Sequence, residues 1–295
     1  MKFSRAYVEV TNICGLSCTF CPPKIQPVLT MPIPSFQAAV EQLKEFTDEI
    51  ALHVMGDPMV LSNVREYLDV AHDTGVKVMI TTSGFYLDAV RREALFHPAL
   101  RQINISLNSF NKNSVSRTFE AYMEPILALC DEKLSRSEDF FINLRLWNLD
   151  DVHSEKLFNE RLFSLLEKHF SLKEGMIASN ISGERQSVRL ASKILLHFDR
   201  YFEWPNLNNP VRTEGYCQGL SKQIAVLADG RVVPCCLDGE GIMELGNLNE
   251  TNLGKILTSK RSQAITDGFS KGMCSEELCQ KCSYKERFAK GGIND

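Results

Sequence analysis

The sequence predicts an α/β fold, a partial (β/α)6 barrel around a parallel sheet, followed by a small C-terminal domain of a β-hairpin and short helices. Three observations carry this expectation. Residues 6–147 repeat one pattern, a short β-rich run followed by an amphipathic helix, which is how βαβ units read in sequence. Two of the runs alternate: Ile103, Ile105 and Leu107 with Asn104, Ser106 and Asn108, and Ile142, Leu144 and Leu146 with Asn143, Arg145 and Trp147. The pattern then loosens over 171–222, before a second hairpin signal and a cysteine-bearing tail.

The expected strands are 6–12, 49–55, 76–82, 101–107 and 140–147, with a sixth near 186–190. Between them, Phe36, Ala39, Val40 and Leu43 have helical spacing, as do Val64, Tyr67, Leu68 and Ala71, and then Phe119, Tyr122, Met123 and Ile126. A further helix over 153–170 carries Phe158, Leu162, Leu165, Leu166 and His169. Five repeats and a sixth strand fit an open barrel rather than an eight-fold one, with catalytic groups at the carboxyl ends of the strands. The apolar set of each alternating strand packs on the helices and the polar set points inward. An inward arginine and several inward amides are costly unless they meet a ligand or each other. The domain boundary is placed between residues 200 and 201. After it, Ile224–Leu227, Asp229-Gly230 and Val232-Val233 read as a hairpin, and a helix is expected near 251–266.

At 295 residues the chain holds one large domain or a large and a small one. With 44% apolar and 24% charged residues it is neither disordered nor fibrous. A net charge of −4 offers no global footprint for nucleic acid or an anionic membrane. The first residues lack a signal-peptide apolar run, and no stretch approaches a membrane span. A cytoplasmic protein is expected. The ten cysteines are then better explained by metal or redox chemistry than by disulfides.

Cys14-x3-Cys18-x2-Cys21 follows the first strand directly, with Phe20 before the third cysteine. Three thiolates on one short loop can hold three irons of a cubane and leave the fourth open. Zinc is the alternative, though structural zinc usually takes four ligands in paired motifs. The loop resembles the signature of the radical S-adenosylmethionine (SAM) superfamily. That resemblance implies a 4Fe–4S cluster whose open iron binds SAM, reductive cleavage to a 5′-deoxyadenosyl radical, and an electron donor such as flavodoxin or ferredoxin. Met55-Gly56-Asp57-Pro58 is similar to the family's Gly-Gly-Glu-Pro segment, with Met for the first Gly and Asp for Glu. Thr82-Ser83-Gly84 is similar to its Thr-Asn-Gly. By the same resemblance Ser106 and Asn108 meet the ribose from the fourth strand, and Arg145 reaches the ribose or carboxylate from the fifth.

Cys217-x12-Gly230-x4-Cys235, followed by Cys279-x2-Cys282, resembles the SPASM/twitch extension of that superfamily. It implies one auxiliary 4Fe–4S cluster on Cys217, Cys235, Cys279 and Cys282; four thiolates suit zinc as well. Cys236 points opposite to Cys235 on a strand and is either packing or a hydrogen-atom donor facing the active site. Cys274 is a substitute for a tail ligand, and Cys130 is core. Other residues weighed are His53, surface or satisfied core unless it faces the interior; Glu9 and Thr11, on the inward face with Tyr7; and the aromatics Phe198, Tyr201, Phe202 and Trp204, as lid or interdomain packing. Lys271, Lys281, Lys285, Arg287 and Lys290 read as a solvated basic tail. Gly291-Gly292 resembles the terminal pair of the molybdenum-cofactor cyclases, but three residues follow it.

The expected activity is hydrogen-atom abstraction from a small molecule or a peptide, leading to oxidation or modification. By the resemblance, relatives with one auxiliary cluster include aminocyclitol dehydrogenases, and others with this extension modify ribosomally made peptides. Because the first strand begins at once, the expectation tilts towards a small molecule, or a peptide delivered by a separate carrier protein. An RNA-modifying enzyme and a non-catalytic iron–sulfur or zinc scaffold are the other classes.

Overall fold

The computed structural model describes residues 2–114, 116–147, 155–181 and 186–288. Gly291-Gly292 and Lys290, and the first residues of the helix expected over 153–170, lie outside them. The strands are β1 (Arg5–Val8), β2 (Glu49–Leu52), β3 (Lys77–Thr82), β4 (Leu100–Ser106), β5 (Phe141–Trp147), β6 (Ser187–Ala191), β7 (Ile194–Asp199), β8 (Gln223–Val226), β9 (Arg231–Val233) and β10 (Gly246–Asn247). They form one open sheet in the order β10-β9-β8-β1-β2-β3-β4-β5-β7-β6. The run from β8 to β7 is parallel throughout.

The sixth strand differs from expectation. Residues 187–191 are the outer, antiparallel arm of a hairpin, and the parallel partner of β5 is β7. The reason is packing: Ile194, Leu196 and Phe198 are all fully buried under the helices, whereas β6 runs along the edge. The hairpin expected at the Asp229-Gly230 turn is present as β8 and β9. Its first strand pairs with β1, Tyr7 opposite Ala225, so the C-terminal segment continues the sheet of the barrel. The helix expected near 251–266 is two, Leu253–Leu257 and Lys260–Ser270, parted where Ser259 caps the second through Ser262 N.

The outer face of the sheet makes the core. Ala6, Val8, Ile50, Leu52, Ile80, Ile103, Ile105, Ile142, Leu144 and Leu196 are buried there. The helices lay on them the residues that the periodicity picked out, Phe36, Val40 and Leu43 from Ile33–Leu43, Tyr67 and Leu68 from Val64–Thr74, and Tyr122 and Ile126 from Phe119–Ser135. Each such side chain is worth about 1.5–3 kcal/mol when fully buried. Cys130 belongs to this core.

The inner face carries the opposite set, and its polar groups largely answer one another. Gln102 Nε2 donates to Asn104 Oδ1 at 2.8 Å and Asn143 Nδ2 to the same oxygen at 3.3 Å, while Asn104 Nδ2 donates to Thr81 Oγ1 at 3.4 Å. Glu9 is buried with both oxygens engaged, one by Met55 N at 2.9 Å and one by Ala228 N at 3.2 Å. It therefore ties the ends of β1, β2 and β8 together. Thr11 bonds the Leu29 carbonyl and Thr30 Oγ1 instead of facing the chamber.

Candidate active site and auxiliary cysteine site

The loop after β1 brings Cys14, Cys18 and Cys21 to the carboxyl edge of the sheet. Two contacts fix its path. Tyr86 Oη donates to the Cys14 carbonyl at 2.8 Å, and Thr19 N donates to the Lys112 carbonyl at 2.9 Å. Gly15 has φ +68°, and a Cβ there would stand 2.1 Å from Tyr86 Oη, so the turn needs glycine. Cys18 is buried and accepts a hydrogen bond from Asn113 Nδ2 at 3.3 Å. A hydrogen bond from the Cys21 thiol draws the Cys18 thiol below its usual pKa, while burial pushes Cys14 up to about 11. Phe20 stacks edge-on against Trp147 at 4.5 Å between ring centres, joining this loop to the end of β5.

Met55-Gly56-Asp57-Pro58 follows β2 and lies directly beneath the cysteine loop. Asp57 N donates to the Ile13 carbonyl at 2.8 Å. A Cβ on Gly56 would come within 1.9 Å of the Thr11 carbonyl oxygen, so the two segments touch backbone to backbone. The Asp57 side chain points away from the mouth. It is fully engaged with the end of β3, taking Thr82 Oγ1 at 3.0 Å, Ser83 N at 2.8 Å and Ser83 Oγ at 2.6 Å, besides Met59 N at 3.0 Å. Burial raises its pKa against the pull of those donors. The expected cofactor contacts Asp57, Thr82 and Ser83 thus form a brace between two strand ends, leaving the Met55–Gly56 backbone as the surface beside the cysteine loop. Asp57→Ala strands two buried amides, each costing about 1–3 kcal/mol. We expect urea unfolding to report a stability lower by about 2–6 kcal/mol, with Asp57→Asn intermediate.

On β4, Ser106 ends the strand beside Arg145 of β5. Asn108 is not a strand residue: it opens the helical turn Asn108–Asn111, and its Oδ1 accepts from Trp147 N at 2.8 Å. The alternation continued past the strand because that turn also buries Leu107. Asn108 therefore braces the end of β5.

The C-terminal cysteines converge as well. Cys217, Cys235, Cys279 and Cys282 line one cavity together with Leu237, Met243, Phe269, Leu278 and Tyr284. Burial pushes the Cys217 thiol up to about 11 and raises Cys235, Cys279 and Cys282 too. Cys274 is buried beside this set and accepts from Lys285 Nζ at 3.4 Å. Lys285 is not a solvated tail residue. It is buried, and its ammonium also donates to the carbonyls of Arg212, Cys279 at 2.9 Å and Gln280 at 3.3 Å. Arg287 is likewise paired, with Asp199 at 2.9 Å. Cys236 is not among the residues lining the cysteine cavity; it packs with Tyr7 and Met55 against Val54 and Val233.

The radical SAM superfamily model matches residues 8–156, and a SPASM iron–sulfur cluster-binding domain matches 217–283. The chain belongs to the radical SAM superfamily. Its cofactors are accordingly SAM and 4Fe–4S clusters. Among the described residues no three Cys, His, Asp or Glu side chains stand close enough to hold a single ion as placed, whereas the four C-terminal thiols share one cavity, and a cubane asks for one thiolate per iron. Soft thiols in apolar surroundings suit such a cluster.

The radical SAM chain is 26% identical over 175 residues to GTP 3′,8-cyclase of Campylobacter jejuni, covering 56% of this chain and 52% of that protein. It therefore spans about half the length of these curated relatives. Its fold is that of BtrN in complex with AdoMet and 2-DOIA, with TM-score 0.59 and 16% identity over 96% of this chain and 94% of the other. It is also that of Streptococcus suis SuiB bound to the precursor peptide SuiA, with TM-score 0.61 and 13% identity over 97% and 72%. No helix among the described residues is long and apolar enough to cross a membrane.

Of the chamber residues of this radical SAM fold, the sequence reads His53 mainly as a surface or satisfied core group and does not single out His197 or Tyr284. His53, one step beyond β2, faces inward with its Nδ1 buried and unpartnered. His197 sits opposite Arg145 on β7. Tyr284 reaches in from the tail and packs on Phe202 at 5.1 Å, and Phe202 on Trp147 at 6.4 Å. Of the aromatic cluster weighed from sequence, Phe198 is outer core against Phe163, while Tyr201 and Phe202 join Trp147. For His53 and His197 the signal was their inward strand parity.

Proposed function

We propose that this chain reductively cleaves SAM and abstracts a hydrogen atom from a small-molecule or peptide substrate, leading to its oxidation or modification. The observation that carries the reading is the mouth itself. Cys14, Cys18 and Cys21 stand over the Met55–Gly56 backbone, and the Asp57 brace fixes that backbone to Thr82 and Ser83. In this reading the three cysteines hold the cluster, with Phe20, Met55, Gly56 and Pro58 beside the cofactor and Ser106 at its ribose. When bound, the cluster and SAM supply the electron and the radical precursor. The protein's part is to orient and to exclude water: Trp147, packed on Phe20, walls the mouth.

The second cysteine set, Cys217, Cys235, Cys279 and Cys282, is proposed to hold the auxiliary cluster, dividing the chain functionally into a radical core over 1–200 and an auxiliary unit over 201–295. A flavodoxin or ferredoxin is the proposed electron donor. BtrN's complex with 2-DOIA and SuiB's with a precursor peptide support both substrate classes, a peptide with or without a separate carrier. Anaerobically reconstituted protein given dithionite and SAM is expected to yield 5′-deoxyadenosine and methionine. Full iron loading with neither product would make the chain a scaffold.

A further inference from the structure

Resting on that reading, and going beyond it to the substrate, we propose that Arg145, flanked by His53 and His197, binds an oxyanion carried by the substrate, a carboxylate or a phosphate. The resemblance gives this position to the ribose or carboxylate of SAM; the geometry points to the substrate instead. Arg145 stands mid-chamber, beside Ser106 on β4 and His197 on β7. His53 faces the same chamber from the end of β2, against the Tyr7 ring.

Among the described residues its guanidinium has neither an ion pair nor a hydrogen bond. The carboxylates of the neighbouring strand ends are committed elsewhere. Asp199 pairs with Arg287 at 2.9 Å, Glu9 holds two backbone amides, and Asp57 braces β3. A half-buried cation without a counter-charge is costly to keep. His53 adds a second unanswered group, its Nδ1 buried with no partner. Burial, reinforced by Arg145, holds both imidazoles below their usual pKa and hence neutral. One fixed cation and two neutral ring edges suit an oxyanion, which takes a charged hydrogen bond from the guanidinium and neutral ones from the rings.

The test uses the reconstituted holoenzyme saturated with SAM and titrated calorimetrically with inorganic phosphate and, separately, acetate. One saturable site is expected for at least one anion, the tighter naming the class. It should weaken about tenfold to a hundredfold in Arg145→Gln and much less in Arg145→Lys, while the affinity for SAM changes less than about threefold, within twice the context scatter of such contacts. Unchanged anion binding in Arg145→Gln overturns the proposal, as does a tenfold loss of SAM affinity with anion binding intact, which assigns the guanidinium to the cofactor. If Arg145→Gln fails to load iron, Arg145→Lys and His53→Phe decide: anion binding unaffected in both overturns it. Failure of the radical reading would appear separately, as no 5′-deoxyadenosine from wild type whatever the anions do.

Discussion

Protein carrying Cys14/Cys18/Cys21→Ala is expected, after anaerobic reconstitution, to hold half the iron and sulfide of the wild type. Its 5′-deoxyadenosine formation should fall by at least about a thousandfold, since the group that carries the chemistry is gone. The loss should be clean because the loop contributes little to the core. Cys14 is only partly buried and Cys21 exposed, and Cys18 touches a side-chain amide rather than the sheet. The loop's path is held by Tyr86, by the Thr19–Lys112 contact and by the Asp57–Ile13 bond, none of which needs a thiol. Far-ultraviolet dichroism and the thermal midpoint should therefore stay near the wild type's. Unchanged iron in the triple variant would place both clusters elsewhere and sink the assignment. A loss of all iron would mean that the two sites fold as one, against the separate cavity that the C-terminal cysteines line.

How far the sequence disclosed this arrangement depends on whether a residue's partner is local. The outer face of the sheet was legible because Ile103, Ile105, Ile142 and Leu144 alternate, and because helix positions such as Tyr67 and Tyr122 recur at helical spacing. Both periods follow from backbone geometry alone. The cysteine spacings were legible for a related reason, since a short loop can present three thiols to one point. What failed was tertiary. Residues 187–191 have good strand chemistry, yet the choice between edge and parallel partner was made by the burial of Ile194, Leu196 and Phe198. Asn108 kept the alternation going one step past the strand into a helical turn. Lys285 looked like one charge in a basic tail, and only the folded chain shows it spending its hydrogens on three carbonyls and a thiol. The side-chain role of Asp57 was invisible because its partners, Thr82 and Ser83, lie 25 and 26 residues on.

Adjacent cysteines give the other large effect. Cys235→Ala is expected to lose the second half of the iron, whereas Cys236→Ala keeps all of it. The two are neighbours in the turn that follows β9, not on a strand as the sequence suggested, and there they have different surroundings. Cys235 lines the cavity with Cys217, Cys279 and Cys282, while Cys236 packs with Val54 and Val233 and meets Tyr7 in the chamber. Removing Cys235 also leaves three buried thiols without a cluster to bind them. They come from segments around 217, 235 and 279–282, so the cluster is the cross-link between the hairpin and the tail. Loss of that cross-link should lower the thermal midpoint by several degrees, as about 1–2 kcal/mol does in a domain of this size. Cys236→Ala forfeits only packing and one thiol–phenol contact, about 1 kcal/mol. Elemental analysis of the same two variants separates the metals. If the fraction lost with Cys235 is zinc rather than iron and sulfide, the site is tetrahedral and structural, and the auxiliary cluster leaves the scheme while the radical core stands. Equal metal loss in both variants would contradict the difference in surroundings on which the assignment rests.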